Sequence, residues 1–366
     1  MQHVAIVGAG IFGLQLAIDL NDLGYRVDVF EEKGRILSGS TSKSLLRIHK
    51  GLHYPRHLPT AKQSLRNYDS FVERFAGAVN TNFNNYYLLA EKGSKVSLEE
   101  MRQFLGKLKS DAELIELEQL EQLGINPMGV SLAVSNKEGV VDLDSLRELF
   151  ARELSCRQIK LNLNCKVREV KQYASKWGLS NQDNELGLFD ILVFATYGVR
   201  PILAGLNSVR PKLMEYHRTL TLELKLNIEK IGVTIIDGDF LTVLPKGFSH
   251  SYLIYGPNPS RLEVETGTQV PEYWLTPDWA EKNSVRISKA SLTLMDRVEQ
   301  ILPESKPVIS GKPLIGIRPV GVNLQSTDAR ESSVIELCHN LFEIYSGKID
   351  HCLEISRNLV RLIHNK

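Results

Sequence analysis

The first residues with the spacing of a chemical site are three glycines. An apolar run, Val4-Ala5-Ile6-Val7, leads into Gly8-Ala9-Gly10-Ile11-Phe12-Gly13, and a second run, Val27-Asp28-Val29-Phe30, ends on Glu31 and Glu32. Between a strand and a helix each glycine has its own task. Gly8 permits a tight turn, Gly10 lets backbone approach a pyrophosphate, and Gly13 lets the helix pack close on the sheet. The N–H groups at Ile11 and Phe12, with the helix dipole behind them, attract phosphate. Glu31 falls where a carboxylate accepts hydrogen bonds from ribose hydroxyls and disfavours a 2′-phosphate. This unit predicts an adenine-dinucleotide site.

Other reactive residue types lack the spacing of a site of their own. Ser40, Thr41 and Ser42 sit in no Gly-x-Ser-x-Gly elbow, so they read as hydroxyls donating to a pyrophosphate and not as nucleophiles. His217, His250, His339 and His351 lie on separate predicted elements without metal-ligand spacing, and no metal is expected. Cys156, Cys165, Cys338 and Cys352 form no Cys-x-x-Cys pair, which leaves reduced thiols in a cytoplasmic protein.

The elements that must position these residues suit about two domains in 366 residues. Forty-four basic residues against 43 acidic ones give no global field for nucleic acid or anionic lipid. No apolar run reaches the roughly 18 residues of a membrane span, and a strand starting at His3 leaves no room for a cleavable signal. Helical periodicity predicts helices from about Thr60 to Phe75 and after Asp142, and Ser97 with Glu100 predicts a capping box opening a helix to Leu108. Strands are expected from Cys165 to Val170 and, buried on both faces, from Phe189 to Thr196. From Thr219 the pattern alternates, through Gly232–Ile236, an Asp237-Gly238 turn, Phe240–Leu244 and Ser251–Tyr255, as antiparallel strands with one solvated or ligand-facing side. One long helix is expected from Asp278 to Ile301, then strands near Leu314–Ile317 and Phe342–Tyr345 and a terminal helix to about Ile363. The fold expected is α/β: a Rossmann-type nucleotide domain of residues 1–75, 140–205 and 310–366, interleaved with an α+β substrate domain of residues 76–139 and 206–309 built on an antiparallel sheet.

Four blocks of this sequence resemble the D-amino-acid-oxidase-like superfamily of FAD-dependent oxidoreductases. They are the glycine loop with Glu31; Gly39–Ser44 with Ile48-His49-Lys50-Gly51-Leu52-His53-Tyr54; Val167 with Asp190–Gly198; and Gly316-Ile317-Arg318-Pro319 with Ser346-Gly347-Lys348-Ile349. The second block is most similar to the L-2-hydroxyglutarate and glycerol-3-phosphate dehydrogenase branch. The resemblance implies non-covalently bound FAD, held by Gly8, Gly10, Ile11, Phe12, Gly13, Glu31, Glu32, Ser40, Thr41, Ser42, His49, Gly51, Val167, Thr196, Gly198, Arg318, Gly347, Lys348 and Ile349. In it, Gly51 would let backbone approach the flavin, and the terminal helix would aim its N-terminus at the flavin pyrimidine.

The same resemblance implies hydride transfer to flavin N5 from a CH–NH or CH–OH carbon of a small organic anion such as an amino acid, a secondary amine or a 2-hydroxy acid. Oxygen or another acceptor would take the electrons on. Arg318 would grip the anion through its planar fork, with an ion pair to a local acid as the alternative. His53 or His49 could accept a hydroxyl proton if neutral near pH 7, or could simply pack. Of Arg47, Lys50 and Arg56, two read as solvated charges. Tyr54, Tyr255 and Trp274 line either a pocket or the core. No second Gly-x-Gly-x-x-Gly follows another strand, so electrons are expected from the organic substrate and not from NADPH. A flavin enzyme with internal redox, such as an isomerase or cyclase, and a non-catalytic flavoprotein subunit are the competing readings.

Overall fold

The computed structural model describes all residues except 207–208, 210–211, 238–240, 323, 325–326 and 365–366. The first strand, His3–Val7, runs parallel to Arg26–Phe30 on one side and to Ile191–Phe194 on the other, and the helix Ile11–Asp22 makes the crossover. Ile159–Asn162 and Leu341–Tyr345 extend the sheet in parallel, and Ser333–Cys338 closes one edge antiparallel. Ile191–Phe194 is buried at every position, as a strand covered on both faces must be. The helix Leu143–Ser155, capped by Asp142, contributes Leu146, Phe150 and Leu154 to the core that the first helix and the terminal helix Cys352–His364 share.

A second, larger sheet takes Met214–Lys225 as its spine. That strand pairs antiparallel with Ser251–Tyr255, Arg261–Gly267 and Leu314–Gly321, and the sheet continues to Ile231–Ile236, Asn84–Ala90 and Val130–Asn136. The alternation has a clear physical outcome. Leu220, Leu222 and Leu224 pack with Leu294 and Val298 of the helix Ser284–Ile301, and the polar positions His217, Thr219 and Thr221 line a cavity. The chain is thus a mixed α/β fold with a Rossmann-type parallel sheet and a second sheet beside it.

Several expectations change. The strand expected at Cys165–Val170 is a loop until Glu169; Glu169–Tyr173 then joins the hairpin Lys176–Ser180 and Glu185–Phe189 in a separate small sheet. The helix from Asp278 breaks at Asn283 (φ −108°, ψ 18°), giving Trp279–Lys282 and Ser284–Ile301. The strand at Leu314 continues to Gly321 and bonds to Met214–Lys225, a pairing that crosses the expected boundary at 310. Ile231–Ile236 pairs antiparallel with Thr242–Pro245 as expected, and on its other side it also pairs parallel with Asn84–Ala90. Gly238 and Phe240 lie outside the described residues. No helix of the described residues is long and apolar enough to cross a membrane.

Candidate functional site

One cavity of about 990 Å³ runs from the glycine loop to the second sheet and brings most of the sequence-predicted residues onto one wall. At its nucleotide end Gly8 has φ +108°, and a Cβ there would stand 2.6 Å from the Ala195 carbonyl oxygen, so the turn requires glycine. Gly10 begins the helix Ile11–Asp22 with no side-chain cap and no acid in the first turn. A Cβ on Gly10 would meet only Thr41 Oγ1, at 3.6 Å; the space in front of these N–H groups belongs to the cavity. The Glu31 carboxylate accepts from the backbone of Ala9 and of Lys33, each at 2.9 Å, bracing the loop against the second strand while still facing the cavity. Glu32, Val167 and Thr196 stand beside it, and the Thr196 hydroxyl is buried with no partner among the described residues. Ser40 and Thr41 also line the wall, Ser40 donating to the Ile317 carbonyl at 3.2 Å.

Four assigned residues do not line the cavity. Gly13 packs: a Cβ would collide with the Gly8 carbonyl. Gly51, expected beneath the flavin, has φ +91°, and a Cβ there would stand 2.4 Å from the Ala61 carbonyl oxygen, so its close approach is to the helix Leu58–Arg74. Gly198 backs onto Pro319, with only 3.2 Å to spare for a Cβ. The Ser42 hydroxyl turns to the Gly39 carbonyl at 3.0 Å within the short turn Ser40–Lys43.

In the middle of the cavity His49, His53, Tyr54 and Lys348 come together, with Gly347 and Ile349 alongside. Burial, then the charges of Lys348 and Arg47, hold both imidazoles well below the ordinary histidine range, so both are neutral at pH 7. Lys348 Nζ lies 5.0 Å above the Tyr54 ring, and burial pulls its ammonium below the usual lysine value. The three flanking cations are not solvated charges. Arg47 is buried, donating to Glu138 at 2.8 Å and to Thr234 at 2.7 Å; Lys50 pairs with Asp111 at 2.5 Å; Arg56 pairs with Asp237 at 3.1 Å and with Asp328.

At the far end Arg318 lies on the wall with Tyr255 and Trp274. Its guanidinium stands 5.5 Å from the Tyr255 ring centroid, and Nη2 donates to His217 Nδ1 at 3.3 Å. Among the described residues Arg318 has no carboxylate partner, and its Nε has no hydrogen-bond partner. His217, Tyr197 and Arg330 share this chamber and were missed from the sequence. His217 was legible, two residues ahead of Thr219 in the alternating strand. Arg330 and Tyr197 carry no local signal. No group of acidic, histidine and cysteine side chains able to hold a metal ion occurs among the described residues.

The family model described as FAD dependent oxidoreductase matches residues 3–337. The chain belongs to that family. Among curated proteins it is 28% identical over 205 residues to the FAD-dependent monooxygenase kojA of Aspergillus flavus, covering 53% of this chain and 45% of that protein, and 38% identical over 72 residues to the FAD-dependent monooxygenase FPY4 of Fusarium mangiferae, 20% of each chain. These matches thus span less than half of either relative. Glycine oxidase from Geobacillus kaustophilus superposes with a TM-score of 0.73 at 14% identity, covering 100% of this chain and 96% of that one. L-α-glycerophosphate oxidase from Mycoplasma pneumoniae gives 0.72 at 16%, covering 100% and 95%. At such identities the superpositions establish the shared fold. The cofactor of the family is FAD, and the uncapped helix start with an open Gly10, facing a cavity that also carries the Glu31 carboxylate, fits its diphosphate and ribose.

Proposed function

We propose that this FAD-dependent enzyme oxidises a CH–NH or CH–OH carbon of a small organic anion, with Arg318 as the anion grip and His53 or His49 as the proton acceptor when the substrate is an alcohol. The observation that carries the reading is Arg318: a guanidinium lining the same cavity as His53 and His49, with no carboxylate partner among the described residues. FAD, when bound, supplies the two-electron acceptor. The protein supplies placement. Gly8, Gly10, Ile11, Phe12, Glu31, Glu32, Ser40, Thr41, Val167 and Thr196 would hold the dinucleotide, and Gly347, Lys348 and Ile349 would face its ring end. The Arg318 fork would fix the substrate by charge-assisted bonds. A neutral imidazole could take the hydroxyl proton, whereas an amine reaching the site unprotonated needs no such acceptor. The resemblance of the Ile48–Tyr54 stretch to the hydroxyglutarate and glycerophosphate dehydrogenase branch favours the alcohol. In the same proposal the nucleotide domain comprises the segments that build the parallel sheet, and the substrate domain those of the second sheet, Leu314–Gly321 included.

The names of the curated relatives support a second reading, an FAD-dependent monooxygenase, whose flavin must be reduced by an electron donor such as a nicotinamide. One experiment separates the two. The yellow protein is mixed anaerobically with small amino acids, N-methyl amino acids and 2-hydroxy acids, then with NADH and NADPH, and the flavin absorbance is followed before and after air is admitted. Bleaching by an organic anion that Arg318→Ala abolishes, with flavin content unchanged, is the expected result. Rapid stoichiometric bleaching by either nicotinamide overturns the leading reading.

A further inference from the structure

Arg318 does not stand alone on its strand. In the register that joins Leu314–Gly321 to Met214–Lys225, Arg318 lies directly opposite His217, and Glu215 follows on the same face of the spine strand two residues away. His217 Nε2 is 2.5 Å from Glu215 Oε1, and His217 Nδ1 is 3.3 Å from Arg318 Nη2. His217 is 2% exposed yet borders the cavity.

A carboxylate cannot donate and a guanidinium cannot accept. The contacts therefore fix the tautomer: Nε2 carries the hydrogen and donates to Glu215, which leaves Nδ1 as the acceptor for one Arg318 N–H. Burial and the Arg318 charge push the His217 pKa down to about 4, against the opposing pull of Glu215, so the imidazole stays neutral and able to accept. An arginine side chain loses considerable rotamer entropy when it grips a ligand, and a fixed contact on one edge of the guanidinium removes part of that loss in advance.

We propose that His217, oriented by Glu215, is a positioning residue that holds the Arg318 fork in its anion-binding pose. The role rests on the reading of Arg318 as the anion site and adds to it a specific cause of its geometry. Tyr255, on the strand Ser251–Tyr255, meets the same group through a cation–π contact at 5.5 Å, and its hydroxyl has no hydrogen-bond partner among the described residues.

The test uses FAD-loaded enzyme titrated with acetate, glycolate and inorganic phosphate, with perturbation of the flavin absorbance as the readout and thermal melting as the check on folding. Four proteins are compared: wild type, Arg318→Ala, His217→Leu and His217→Asn. Asparagine puts its amide oxygen at the δ position, where Nδ1 stands, whereas leucine offers no acceptor. Expected are loss of binding in R318A, a dissociation constant raised about tenfold in H217L, and recovery to within about threefold of wild type in H217N. A purely structural role for His217 would lower melting in both histidine variants without separating their affinities. If R318A binds all three anions like wild type, or wild type binds none, the anion site is misplaced and the role of His217 falls with it. If R318A loses binding while H217L keeps it, or H217N is as weak as H217L, the anion site stands and the positioning role is refuted.

Discussion

The rings of His49 and His53 lie 5.3 Å apart, centroid to centroid, with their planes 43° from parallel, and both border the cavity. Two imidazoles this close, beside Lys348 and Arg47, cannot both carry charge without mutual repulsion in a poorly solvated setting.

From this follows the pH behaviour of the reductive half-reaction. Because both imidazoles are held well below the usual 6.5, a base among them is already in its accepting form at pH 7. The rate of flavin bleaching by an alcohol substrate should therefore stay level from pH 8 to pH 6.5 and decline only in acid. His53→Asn or His49→Asn should slow it by about 10²–10⁴-fold, the usual worth of a general base. Stopped-flow bleaching across pH checks this. Unchanged rates in both variants would leave an amine as the better substrate class.

Cofactor retention separates two of the three glycines of the loop. Valine at Gly10 has room within the protein itself, since the nearest atom to its Cβ is Thr41 Oγ1 at 3.6 Å, so Gly10→Val should fold and emerge colourless. Gly8→Val should fail to fold, because φ +108° and the Ala195 carbonyl at 2.6 Å exclude a side chain. In wild type, the flavin absorbance should pass entirely into the supernatant on acid precipitation. Full flavin content in Gly10→Val would sink the assignment of the pyrophosphate position.

How much of this was legible depended on range. The glycine loop, the Asp142 and Ser97 caps and the buried run at Ile191 are local signals, and each element stands within a residue or two of its expected place. Gly51 and Gly198 show the limit: a positive-φ glycine announces a close approach, but only the tertiary fold says whether the neighbour is a ligand, Ala61 or Pro319. The pairing of Arg56 with Asp237 and Asp328 joins segments some 180 and 270 residues apart, which no spacing rule anticipates.

Stability should hinge on the Arg47–Glu138 pair. Both side chains are nearly inaccessible, and Glu138 also accepts from Tyr87 at 2.9 Å and from the Lys50 backbone at 2.8 Å. Glu138→Ala strands a buried guanidinium and should cost about 3–5 kcal/mol in chemical denaturation. A loss below about 1 kcal/mol would mean that water reaches Arg47.

Acid should weaken the fold through its buried histidines. His49 and His53 are held well below 6.5, His217 is pushed down to about 4 and His351, bonded to Ser64 and Ser332, to about 3. Below pH 6.5 the unfolded chain binds protons on these four residues that the folded chain refuses, so stability is fully present above that pH and is lost as pH falls towards 4. Asp350 and Asp19 run the other way: burial raises both carboxyls, so the folded chain holds protons there that the unfolded chain has already released. Four against two leaves the histidines dominant, and denaturation at pH 5.5 should give about 3 kcal/mol less stability than at pH 7.5. His351→Gln keeps a polar partner for the two serines without a group that titrates here, and should shrink that difference by about 1.4 kcal/mol. An undiminished difference in the variant would show that His351 takes up its proton in the folded state as readily as in the unfolded one.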